Sequence, residues 1–140
     1  MTVEADVLGH ELRETLGRLV RRLRQEPSPI SAGQLIVLMR LEREGPASTS
    51  DLAAAERMRP QSMAQTVRDL EDAGLITRHP DPSDGRRALL ELTKAGLDTL
   101  AAVSARRDSF LSRGIQHELT AAERRTLSDA VALLRRLADS

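Results

Sequence analysis

The sequence has no cysteine, which removes disulfides, thiolate nucleophiles, zinc ribbons and thiol-based redox sensing together. Aromatic side chains are nearly missing as well, with Phe110 the only one. Reading single-stranded nucleic acid by base stacking needs aromatic platforms, so that mode is not expected. Neither sign of charge is in excess: Lys and Arg number 21, Asp and Glu 21, and the formal net charge is zero. Duplex binders usually carry a basic surplus, because phosphate neutralisation supplies much of their affinity. Any such role here must arise from the charge of one face and not from the sum over the chain. Long apolar runs are also lacking, so no membrane span is expected. The amino-terminal "MTVEADVLGHELRE" carries acids where a secretory signal needs a basic segment followed by an apolar one, and a cytoplasmic location is expected.

The 140 residues, 40% hydrophobic and 30% charged, make one ordinary globular domain's worth of chain, without internal repeat or low-complexity segment. Val3, Val7, Leu8, Leu12, Leu16, Leu19, Val20 and Leu23 recur at steps of three and four and draw one stripe on a first helix. "QEPSPIS" ends it, because its prolines lack the donors a helix needs. Ser31 is placed to cap a second helix with Leu35, Val37, Leu38 and Leu41 inside, closed by Gly45 and Pro46. "STSDLAAAERM" then offers Ser48 or Ser50 as the cap of a short third helix with an acid in its first turn. Pro60 suits the first position of a fourth, "PQSMAQTVRDLEDAG", with Met63, Val67 and Leu70 on its buried side and Gly74 at its end. "LITRH" and "ALLELT" are short candidate strands. Thr93 is placed to cap a long helix through Leu97, Leu100, Val103, Phe110 and Leu111, and Thr120 opens a last one through Leu127, Val131, Leu134 and Leu137.

The fold class is therefore mainly α with a small β-hairpin. Two helices joined by a short turn, the second with a polar outer face, make a helix-turn-helix, and a following hairpin with a basic tip makes a wing. Taken alone, the tip "HPDPSDGRR" reads equally well as a solvent-exposed turn whose Pro, Asp and Gly satisfy backbone geometry.

From Ser31 to Gly96 the chain resembles the MarR family of bacterial transcriptional regulators. "DPSDGRRALLELTKAG" is similar to the family's wing signature, an aspartate, an arginine two residues on, a strand, then Leu-Thr and a glycine. "DLEDAGLITR" is similar to the family's exit from recognition helix to wing. The resemblance implies a winged helix-turn-helix lobe over residues 31–94 and a helical dimerisation region formed by residues 1–30 and 95–140. It implies a homodimer bound to double-stranded DNA at an inverted repeat, with half-sites about one turn apart, and repression as the family's usual sign.

On the fourth helix, Pro60 starts the recognition element, and Gln61, Ser62, Gln65 and Thr66 are candidates for base-edge contact. Glutamine can bond adenine in bidentate fashion, and the hydroxyls can approach thymine methyls or phosphates. Arg68 is placed either for a phosphate or for an ion pair with Asp72 four residues on. Arg57 and Arg59, beside the helix start, are candidate phosphate contacts. At the wing, the resemblance assigns Arg86 to the minor groove and Asp84 to holding the Arg86 guanidinium by a charge-assisted bond, with Arg87 as the adjoining positive charge. Asp69, Glu71, Asp72, Asp81 and Asp84 lie near these arginines in sequence and reduce how basic the surface can be.

The resemblance also implies a small-molecule effector between the DNA lobe and the dimer helices. With few aromatics, arginine and aliphatic walls suited to an anion are what the sequence offers there. No cofactor is expected. His10, His79 and His117 stand apart in sequence, so no metal site is expected either. The competing reading is a winged helix turned protein-interaction module, against which the polar outer face of the fourth helix argues. An enzyme finds no support, since phosphate-cradling glycines and nucleophile motifs are both missing.

Overall fold

A hydroxyl placed just ahead of an apolar stripe starts four of the helices. Ser31 Oγ accepts from Gln34 N at 3.1 Å while Gln34 Oε1 accepts from Ser31 N at 2.9 Å, a reciprocal box that opens α2 (Ala32–Glu44). Ser48 with Asp51 does the same for α3 (Thr49–Ala55), and Thr120 with Glu123 for α6 (Ala121–Ala138). Thr93 caps α5 (Lys94–Glu118) through Gly96 N. Helix α4 (Pro60–Asp72) lacks a side-chain cap and uses Pro60 at its first turn, where a missing N–H costs nothing. These elements, preceded by α1 (Val3–Arg24), come from a computed structural model that describes residues 3–140.

β1 (Ile76–Asp81) and β2 (Asp84–Leu92) pair antiparallel, with Ile76 opposite Leu92 and Pro80 opposite Ala88. Both strands are longer than "LITRH" and "ALLELT". They run into the tip and leave Pro82 and Ser83 as its turn. The cause is local: Asp81 Oδ1 accepts from Ser83 N at 2.9 Å and from its hydroxyl at 2.7 Å, closing the chain back on itself. A register shift at Pro80 and Asp81 then brings Asp81 opposite Asp84. The sequence offered no sign of a third pairing. Ala47, just before α3, exchanges both backbone bonds with Leu90, at 3.2 and 2.8 Å.

The core lies between α2, α3, α4, the hairpin and the first turns of α5. Leu38, Leu52, Met63, Leu70, Leu90, Val37 and Val67 have almost no exposed surface, and each such side chain contributes about 1.5–3 kcal/mol by leaving water. Leu100 and Val103 are the α5 residues that join them, whereas Leu97, assigned to the same stripe from spacing, is 45% exposed. Phe110 and Leu111 are half-buried. No residue of α1 or α6 is buried. Leu16, Leu19, Val20, Leu127, Val131 and Leu137 all face outward from this chain. Among the contacts that tie α1 and its exit to α5, the Arg22 guanidinium sits 4.2 Å from the centre of the Phe110 ring, Arg106 Nη1 donates to Pro27 O at 2.8 Å and Arg113 lies 3.9 Å from Glu26.

Where the hairpin returns to α5, the chain passes very close to the end of α4. Thr93 N donates to Leu75 O at 3.1 Å and Thr93 Oγ1 to Gly74 O at 2.7 Å. A Cβ on Gly96 would stand 2.2 Å from that Leu75 oxygen and 3.1 Å from a Leu92 methyl. Gly96 is therefore required by the closeness of two backbones and not by its own dihedral angles. Gly96→Ala should lower stability by about 1–3 kcal/mol despite alanine's better helix propensity, as read by urea denaturation; an unchanged midpoint would show that the approach is looser than described.

Candidate nucleic-acid interface

With Met63, Val67 and Leu70 buried, the remaining positions of α4 turn outward. Pro60, Gln61, Ser62, Gln65, Arg68 and Asp69 are exposed, and Thr66 is half-buried. The Thr66 hydroxyl donates back to Ser62 O at 3.2 Å, a local bond that directs it along the helix. Arg68 does not pair with Asp72. Its Nη2 donates to Gln65 Oε1 at 2.9 Å, and Gln65 Nε2 donates in turn to Asp69 Oδ1 at 2.9 Å. Residues three and four apart share a ridge, and Gln65 sits between the two charges on that ridge.

Arg57 closes α3 with φ of 54°, in the left-handed region, while Met58 N reaches back to Ala53 O at 2.9 Å. Glycine would hold that conformation more cheaply; an arginine there sets an exposed guanidinium in the turn that leads to α4. Arg59 is the residue just before Pro60, extended and exposed.

The wing departs from the expected pairing. Asp84 does not hold the Arg86 guanidinium: its Oδ1 accepts from the Arg86 backbone N at 3.1 Å. Two residues apart at the start of a strand, the short carboxylate reaches its neighbour's backbone before it can reach the far end of that side chain. The paired arginine is Arg87. Its guanidinium donates to the Asp51 carboxylate and to Ser48 Oγ at 3.2 Å, and its Nε lies 3.8 Å from Asp81 Oδ2. Arg87 thus latches the wing to the start of α3 across a sequence separation that no spacing argument reaches. From sequence, Asp51 is an acid in the first turn of α3 and Asp81 an acid of the tip near the wing arginines, and neither position points to a bond with Arg87.

Other arginines are also spent on structure. Arg78 bonds Glu71 at 2.8 and 3.3 Å, fastening β1 to the end of α4, and Arg40 bridges Glu56 at 2.6 Å and Glu44 at 2.9 Å. Among the described residues, the side chains of Arg57, Arg59 and Arg86 have no such partner. Arg86 lies with Ser48, Thr49, Ser50, Arg78 and Arg87 around a concavity of about 320 Å³ between the start of α3 and the wing. His79, read as isolated, faces Glu91 across the hairpin at 3.0 Å.

Residues 30–88, spanning α2 to the wing, match the model of the MarR family. An uncharacterised HTH-type transcriptional regulator of Mycobacterium bovis is 34% identical over 134 residues, 94% of this chain and 93% of the relative. The chain belongs to the MarR family. NicR, an HTH-type transcriptional repressor of Pseudomonas putida, is 31% identical over 137 residues, 95% of this chain and 83% of that one. A solved Pseudomonas aeruginosa protein described as a transcriptional regulator superposes with a TM-score of 0.84 at 37% identity, over 100% of this chain and 99% of its own. The protein is a MarR-type transcriptional regulator, with a winged helix-turn-helix, and not an enzyme.

In this MarR-family protein the wing latch carries a pH signature. Hydrogen bonds from the Ser48 backbone and side chain hold the Asp51 carboxyl below its ordinary range, with the Arg87 charge adding to them. Bonds from Ser83, then the Arg87 charge, do the same for Asp81. A carboxylate held low stabilises the fold above its unfolded pKa, about 3.9 for aspartate, and loses that contribution as pH falls through the lower folded value. Asp51→Asn keeps the cap but removes the charge. It should destabilise the protein at pH 7 by less than about 1 kcal/mol, since the pair is half-exposed, and the difference from wild type should shrink as pH falls below about 4. A difference of the same size at pH 7 and pH 3 in urea titrations would remove the ion pair from the latch.

Proposed function

We propose that this regulator is a homodimeric repressor that binds a pseudo-palindromic duplex operator, with α4 in the major groove and Arg86 of the wing in the minor groove. The observation that carries the reading is where apolar surface is exposed. Among the described residues, the large hydrophobic side chains that face outward are Val3, Val7, Leu8, Leu16, Leu19, Val20, Ile36, Met39, Leu97, Leu127, Val131, Leu133 and Leu137, and none of them lies in α3, α4 or the hairpin. A protein-docking face would show apolar anchors at its centre. The helix-turn-helix instead offers Gln61, Ser62, Gln65 and the unpartnered Arg57 and Arg59, with Arg86 on the wing, the composition of a groove reader. The same distribution supports the dimer, because the unburied stripes of α1 and α6 gain their cover from a second copy.

Residues 31–94 then act as the DNA-binding lobe, and 1–30 with 95–140 as the dimerisation region. Arg57 and Arg59, in the turn just before α4, contact phosphates beside the groove entered by that helix. The repressor sign is supported by the similarity to NicR, itself named a repressor. Release by a small molecule is supported by a cleft of about 290 Å³ between α1, α2 and α5, walled by Val20, Ile30, Leu35, Ile36 and Met39 and containing Arg24 and Arg107. Aliphatic walls with two guanidinium groups suit a small anion with an apolar body.

Arg86→Ala should weaken operator binding by about tenfold, broadly across sequences, while leaving the dimer intact in sedimentation. Unchanged affinity at physiological salt, on a duplex recovered by selection, would take the wing out of the mechanism.

A further inference from the structure

Gln65 is bonded at both ends of its amide. The nitrogen donates to Asp69 Oδ1 and the oxygen accepts from Arg68 Nη2, each at 2.9 Å. The two partners are of opposite charge and cannot exchange places. Turning the amide over would set the Gln65 oxygen against a carboxylate and its NH2 group against a guanidinium, so the flanking charges permit one orientation. An amide nitrogen carries two hydrogens and a carbonyl oxygen two lone pairs. After both internal bonds are made, Gln65 therefore retains one donor beside one acceptor, in fixed order, on the exposed side of α4.

We infer that Arg68 and Asp69 are positioning residues that orient Gln65 as a reader of adenine in one strand sense. Adenine presents an acceptor, N7, beside a donor, N6–H, in the major groove, and this is the complement of the donor and acceptor left on Gln65. Guanine presents two acceptors there, one of which would face the Gln65 oxygen, and reversing the base pair reverses the order of the groups. A free glutamine would adapt by turning its amide, whereas one held by two charges does not. Asp69, an acid on a face turned toward phosphates, opposes nonspecific attraction and so exchanges general affinity for discrimination at one position. The same arrangement accounts for Arg68 being turned away from Asp72, and it leaves Arg68 short of a phosphate role in the free protein.

This rests on the DNA-binding reading above, and the test separates the two. Bound duplexes would be selected from a random-sequence library with the full chain as wild type, Gln65→Ala and Asp69→Ala, and affinity for an unselected duplex measured alongside. The expected wild-type consensus carries adenine at one position of each half-site. Both variants lose that preference by about tenfold, keep the other positions, and Asp69→Ala binds the unselected duplex at least as tightly as wild type. If Asp69→Ala returns the wild-type consensus while Gln65→Ala does not, Gln65 reads its base unaided and the positioning role is overturned. If Gln65→Ala also returns it, Gln65 is not a reader. A wild type that enriches no sequence overturns the operator reading itself, and this inference with it.

Discussion

The carbonyl oxygen of Leu75 is the point on which the arrangement turns. It accepts from Thr93 N, while the Thr93 hydroxyl donates to the neighbouring Gly74 carbonyl, and Gly96 comes so near that no Cβ fits. The end of the recognition helix, the root of the wing and the start of α5 are thereby joined at one place. Because α5 carries its remaining length away from the core, the direction in which it leaves is set at this junction. In the proposed dimer, a shift of the α5 helices against each other would reach α4 through a contact with little slack. The cleft proposed above for a small anion, walled by α1, α2 and α5, lies where such a shift could be biased.

The second constraint is electrostatic. Several acids near the helix-turn-helix and the wing are paired with arginines. Glu71 is held by Arg78, Glu56 and Glu44 by Arg40, and Asp51 with Asp81 by Arg87. Each pair uses an arginine; around α4 and the wing Arg57, Arg59 and Arg86 remain without a side-chain partner, and Arg68 bonds only the neutral Gln65 amide. So small a set of free cations implies a shallow salt dependence and a modest general attraction to duplex. In the proposed complex, discrimination would then depend on how well the α4 side chains are held, and Arg68, Gln65 and Asp69 are joined in one hydrogen-bonded series.

Local chemistry was readable in the sequence. Ser31, Thr93 and Thr120 cap the helices they precede, Pro60 opens α4, and Met63, Val67 and Leu70 are inside, because capping and periodicity depend on residues a few positions apart. What was not readable joins distant segments. The Ala47 pairing with Leu90 and the Arg87 bonds to Ser48 and Asp51 need the fold before they can be seen. The bond expected between Asp84 and the Arg86 guanidinium fails for a related reason: the motif gives the spacing to Arg86, but only the strand geometry says that the carboxylate meets backbone. Gly96 was legible as part of a motif, and the reason for it was not.

The central claim is that two reading heads, fixed one turn apart by the helices at the chain ends, engage one duplex together. It is tested most directly by measuring the affinity of the protein for its selected site before and after about five base pairs, half a turn, are inserted between the half-sites. The account predicts a loss of about a hundredfold or more, because the second head is carried to the wrong side of the duplex and its effective concentration disappears. Equal affinity for both duplexes would contradict it, since each lobe would then be binding alone.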